Sequence, residues 1–116
     1  MGHGPNQARV RFVDEITAVV RATLRDATVM DLPSSIAKEA VAITAFDESE
    51  TRQTQELIDA LIDALSAGGW SVDARGRHET EPSLYAAKLD VGGGSFAVQS
   101  PAISFNGLVD GAERFG

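Results

Sequence analysis

His78, Glu79 and Glu81 are the one place in the sequence where a histidine stands beside carboxylates, the residue types of a metal site or a general base. A metal site of useful affinity needs three or four ligands, and the other histidine, His3, is almost at the first residue. The stretch therefore reads as a charged, solvated loop within Gly76 to Pro82. Gly92, Gly93, Gly94 and Ser95 invite comparison with a phosphate-binding loop. Such a loop needs a following helix whose first amides receive the anion, whereas strand-like alternation follows here, with no Walker lysine and no GxGxxG spacing. A hairpin turn is the expected structure. Asp59 and Asp63 are spaced to share a helix face, but together with Glu56 they form its wet side. No serine occupies a GxSxG elbow, and a triad would need a histidine in a structured segment. The absence of cysteine removes disulfides, thiolate zinc sites and cysteine nucleophiles together. The expectation is a chain that is not an enzyme and uses no cofactor and no metal.

Trp70 and Tyr85 combine large apolar area with a polar handle. Trp70, at a helix-to-strand junction, reads first as a core residue or a lid over a sheet edge, and both are also candidates for a binding surface. Leu84, Leu108 and Val109 complete the interaction candidates, the last two beside a strand-like Ile103 to Phe105. The net charge of −7 is unevenly spread: Asp31 to Trp70 holds two basic residues against eight acidic ones. Such a middle repels nucleic acid and anionic membrane, and no basic run or arginine-aromatic pattern offsets it. Arg9, Arg11, Asp14 and Glu15 interrupt what would have to be the apolar core of a signal peptide. A cytoplasmic or virion-associated protein is expected, or a secreted one if a leader precedes this sequence.

The elements that must position these residues follow from apolar spacing. Asp47 to Gly69 organises the chain: Leu57, Leu61 and Leu65 recur every four residues with Ile58 and Ile62 alongside, making one stripe. Asp47 and Glu50 have capping-box spacing, and Gly68 and Gly69 are the expected stop. An earlier helix, Asn6 to Asp26 with Asn6 as N-cap, carries Phe12, Val13, Ile16, Val19, Val20 and Leu24 at helical spacing, although Val10 to Val13 would also suit a strand start. Thr28 to Leu32 is a possible short strand. Ser34 to Phe46 is compatible with helix or strand, and its β-branched second half favours a strand over Glu39 to Phe46.

After Gly69 the period changes to two. Trp70, Val72 and Ala74 alternate with Ser71, Asp73 and Arg75. Tyr85, Ala87, Leu89 and Val91 alternate with Leu84, Ala86, Lys88 and Asp90, and Gly92 to Gly94 are expected to turn the chain into Ser95 to Ser100. Pro101 suggests an edge position or a bulge, and Gly107 to Gly116 reads as an irregular tail that the fold does not need.

From about Thr51 to Gly107, the order of a helix ending in Gly69, Trp70, Ser71 and Val72 followed by antiparallel strands resembles small actinobacterial lipoproteins of unknown function. Those proteins use a lipidated cysteine, which this sequence lacks, so neither their location nor any site is carried over.

These readings converge on one α+β domain of two layers, with two helices on one face of a mainly antiparallel sheet of four or five strands in the order α, β, α, β, β, β. The expected core is Phe12, Ile16, Val20, Leu24, Ile43, Leu57, Leu61, Leu65, Val72, Leu89, Phe96 and Val98. Helices on one face leave the other bare, with Leu84, Ala86 and Ala97 expected there. That implies a non-catalytic protein-interaction module, self-associating or bound to a larger assembly such as a phage or actinobacterial accessory structure. A small-ligand carrier with an apolar pocket between helix and sheet is the alternative.

Overall fold

The computed structural model describes residues 4–32, 40–73 and 83–109. The elements are α1 (Gly4–Thr23), β1 (Thr28–Leu32), β2 (Ala40–Phe46), α2 (Thr54–Ala67), β3 (Ser71–Asp73), β4 (Ser83–Lys88), β5 (Gly92–Gln99) and β6 (Ala102–Leu108). All six strands belong to one antiparallel sheet in the order β1-β2-β6-β5-β4-β3, giving the expected α+β fold with six strands where four or five were expected. The chain crosses from β2 to the far edge through α2, and the β3-β4-β5-β6 meander returns it so that β6 pairs with β2.

The α2 stripe packs as its spacing requires: Leu57, Ile58, Leu61 and Leu65 are buried, while Glu56, Asp59 and Asp63 face water. The helix begins later than Asp47. Its N-cap is Gln53, whose amide donates to the Glu56 carboxylate at 3.3 Å in a capping box displaced by six residues from the expected one. Asp47 instead accepts the Ser49 amide at 2.9 Å and the Ser49 hydroxyl at 2.6 Å, a local turn that competes with helix initiation. The C-terminal stop is as expected. Gly69 takes the left-handed conformation (φ 84°), its amide donates to Ser66, and the Trp70 amide reaches back to the Leu65 carbonyl at 2.9 Å, the Schellman pattern.

α1 is already helical at Gly4, so Asn6 lies inside it, and it ends at Thr23 instead of Asp26. The buried Thr23 hydroxyl donates to the Val19 carbonyl at 3.1 Å. Phe12, Ile16, Val19 and Val20 form its buried side, and Leu24, just past its end, is buried with them.

Two expectations about the hairpins fail for related reasons. Gly92 to Gly94 are not the turn; they lie within β5, and the turn is Leu89–Asp90, closed by the Val91 amide on the Lys88 carbonyl, with Asp90 left-handed (φ 66°). Gly92 and Gly94 are needed for space. A Cβ on Gly92 would stand 2.7 Å from the Phe12 ring, and one on Gly94 would stand 2.5 Å from the Cα of Gly107 and 2.8 Å from the Phe105 ring. The patch they leave seats an aromatic group: Phe12 lies 6.2 Å from Trp70 in a stacked pair and 5.5 Å from Phe105 edge-on, and Phe105 is 4.6 Å from Phe96. Leu89, expected in the core, is 76% exposed because it is a turn residue.

Pro101 also departs from its expected edge position. It occupies the turn between β5 and β6, both central strands, where no ladder amide is required of it, and the Ser100–Pro101 peptide is cis. Gly107 and Leu108 are not tail residues; they pair with Val41 and Ala40 on one side and with Gly94 and Gly93 on the other. Removing the chain from Gly107 onward therefore truncates a central strand. Of the remaining expected core residues, all are buried except Val72, which is half-buried and packs against the cluster.

Candidate functional site

Pleating divides the sheet into two unlike faces. Val41, Ile43, Ala45, Ile103, Phe105, Phe96, Val98, Leu84 and Ala86 point toward the helices and are buried. Their neighbours in sequence point the other way, and the ladder register sets them in rows. One row runs Met30, Thr44, Ser104, Ala97 and Ser83; the next runs Ala42, Asn106, Ser95, Tyr85 and Asp73. Both described helices lie on the opposite face. Met30 is 51% exposed, Phe46 43% and Tyr85 44%, while the centre holds small residues.

Ala97 lies on this face as expected, but β4 is shifted on it by one residue. Leu84 and Ala86 were expected on the bare side, but both are buried beneath the helices, and Tyr85 and Ala87 take their place. The expected alternation counted Leu89 and Val91 with Tyr85 and Ala87, although both belong to the turn and say nothing about the strand's faces. With those two removed, Leu84 is the largest apolar residue of β4 and faces inward.

The interaction candidates separate accordingly. Trp70 and Leu84 are core residues, at 5% and 0% exposure. Tyr85 and Leu108 share the open face, Leu108 half-buried at the end of β6. Val109 is half-buried against the core cluster. Sequence reasoning missed Met30, Phe46 and Ser104, since their common face depends on pairing β1, β2 and β6 across long stretches of chain. His78, Glu79 and Glu81 lie outside the described residues. Among the described residues no three potential ligands converge as a metal site.

Charge is concentrated elsewhere. Among the described residues of the open face only Asp73, on the edge strand β3, is charged. Asp31 and Lys88 belong to strands but point toward the helices: Arg9 of α1 donates to Asp31 at 3.0 Å, and Lys88 donates to Glu15 of α1 at 2.6 Å and to the Gly68 carbonyl at 2.8 Å. Burial raises the Glu15 pKa, but hydrogen bonds and charge from Lys88 and Arg11 outweigh it and hold the carboxyl below its ordinary value.

A second polar cluster sits at one end of the sheet, on the connection from β2 to α2. Arg52 donates to both Glu50 oxygens, at 2.7 and 2.8 Å, and to the Thr23 carbonyl at the end of α1 at 2.6 Å. These bonds hold the Glu50 carboxyl down at a pKa of about 2. The Ser100 hydroxyl donates to the Arg52 carbonyl at 2.6 Å, and the Ser100 amide donates to the Thr54 hydroxyl at 3.0 Å. The cluster thereby ties α1, α2 and the β5–β6 turn together. Among the described residues no buried side-chain nitrogen or oxygen lacks a partner, so these groups are engaged in holding the fold.

No protein-family model, curated protein or solved structure matches the chain. No described helix is long and apolar enough to cross a membrane.

Proposed function

We propose that the chain is a non-catalytic protein-interaction module whose working surface is the open face of its sheet. One observation carries the reading: in a protein of net charge −7, a six-stranded face lies uncovered by the described helices and, among the described residues, holds a single charged one, at its edge. A face meant only for water is ordinarily studded with Lys and Glu, which keep sheets from associating. The row across its middle is Thr44, Ser104, Ala97 and Ser83, with Met30, Phe46, Tyr85 and Leu108 supplying contact area around it.

A ligand carrier would need its cavity between helices and sheet. That region holds Phe12, Trp70, Phe96 and Phe105 in ring contact, with Leu57, Leu61 and Leu65 fully buried beside them. The packing favours the interaction module.

The test places a photo-cross-linking residue at Ala97, in the middle of the open face, or at Asp59, on the wet side of α2, and irradiates each protein in an extract of the source cells. Adducts with protein, of its own or another kind, are expected from position 97 and not from position 59. Equal labelling at both positions, or none at 97, contradicts the proposal.

A further inference from the structure

We propose that the occupant of the open face is a second copy of this chain, packed face to face about a two-fold axis; this rests on the reading of that face as a docking surface. Charge is the first argument. Two molecules of net charge −7 repel wherever their acidic surfaces meet, and α2 presents Glu56, Asp59 and Asp63 to solvent. The open face is where two copies can touch without opposing like charges, because its one described acid, Asp73, lies on the edge strand and stays at the rim of a contact centred on β5 and β6. A basic partner, by contrast, would be drawn to α2.

Relief is the second argument. The row that crosses the middle of the face is low, with Thr44, Ser104, Ala97 and Ser83, and larger side chains stand around it: Met30 and Phe46 toward β1, Tyr85 on β4, and Gln99 and Leu108 at opposite ends of the central strands. A two-fold axis along the strands between β5 and β6 sets β2 of one copy opposite β4 of the other. Tyr85 and Ala42 occupy the same row of the ladder, so each Tyr85 then stands over the other copy's Ala42, a large residue over a small one at two related places.

Area is the third. Six strands about 4.8 Å apart, with central strands of seven or eight residues rising about 3.3 Å each, give a flat face of roughly 500–600 Å². Two such faces bury roughly 1,000–1,200 Å², just above the roughly 1,000 Å² that a specific interface needs. The expected assembly is a dimer that dissociates on dilution.

The test uses the full chain, whose lack of cysteine makes a single introduced thiol unambiguous. Light scattering should give about twice the chain mass of 12.2 kDa at high concentration. Ser104→Arg should restore the monomer mass with the circular dichroism spectrum intact, and Asp59→Arg should leave the dimer. Independently of any loss of assembly, Gln99→Cys treated with a short bis-maleimide should form a covalent dimer, and Asp59→Cys should not. A dimer that survives Ser104→Arg, or one that cross-links through position 59 and not 99, overturns the two-fold contact. A wild-type monomer at all concentrations also overturns it. If position 97 still labels another protein, the docking reading stands and only the occupant is wrong; if it labels nothing, both fall.

Discussion

The two faces of the same six strands obey different rules. On the covered face, the buried positions are constrained by shape: Leu61 and Leu65 fill the space over the sheet, and Gly92, Gly94 and Gly107 keep Cβ atoms away from Phe12 and Phe105. On the open face, small uncharged residues meet no described helix. Adjacent residues of one strand therefore differ in what they contribute, one to stability and the next to association. Substitutions on the two sides should separate cleanly.

The largest effect is expected at Leu61→Asp. Loss of the leucine's packing costs roughly 2–5 kcal/mol, and the carboxylate would be buried without a partner, so the protein should be unfolded in a thermal melt. A cooperative transition near the wild-type temperature would show that the α2 stripe does not carry the core. Gly94→Ala should come next. Its Cβ would meet the backbone of Gly107, which cannot turn aside as a flexible side chain could, and a cost of about 1–3 kcal/mol is expected. For a domain of this size that lowers the melting temperature by roughly 4–8 °C per kcal/mol; an unchanged value would mean that β5 and β6 are not so closely apposed.

The polar cluster at the sheet end is expected to act through pH. Glu50 has a folded pKa of about 2 against an ordinary 4.5, so its pairing with Arg52 stabilises the protein fully above about pH 4.5 and is lost as pH falls toward 2. Glu50→Gln should be less stable than wild type at pH 7, and the gap between their melting temperatures should close between about pH 5 and about pH 2. A constant gap across that range would mean that the carboxylate's charge is not what holds the loop. The smallest stability effect is expected from Ala97→Lys on the open face, within about 0.5 kcal/mol at a protein concentration low enough for monomers.

Local pattern revealed the covered face better than the open one. The four-residue recurrence of Leu57, Leu61 and Leu65 and the helical spacing of Phe12 to Leu24 act within one turn of chain, and both helices pack as that spacing requires. The β-branched Val41 to Thr44 segment likewise forms its strand. The place of β6 was hidden because its partners, β2 and β5, are chosen by contacts about sixty residues apart as well as by a hairpin. Glycine misled most: three in a row signal a turn by propensity, but here Gly92 and Gly94 make room for aromatic rings that arrive from α1 and β6. The β4 faces were inverted because a hairpin turn carried two apolar residues, Leu89 and Val91, that continued the alternation past the strand's end.

The most direct test of the open face as the working surface is the salt dependence of association, measured as weight-average mass by sedimentation equilibrium between about 50 mM and about 500 mM salt. Contact through an uncharged face between molecules of net charge −7 is opposed by long-range repulsion, which salt screens. The mass should therefore rise with salt toward that of a dimer, and Ser104→Arg should abolish the rise. A mass that falls as salt increases would mean that association is held by charge, and would contradict the assignment of the open face.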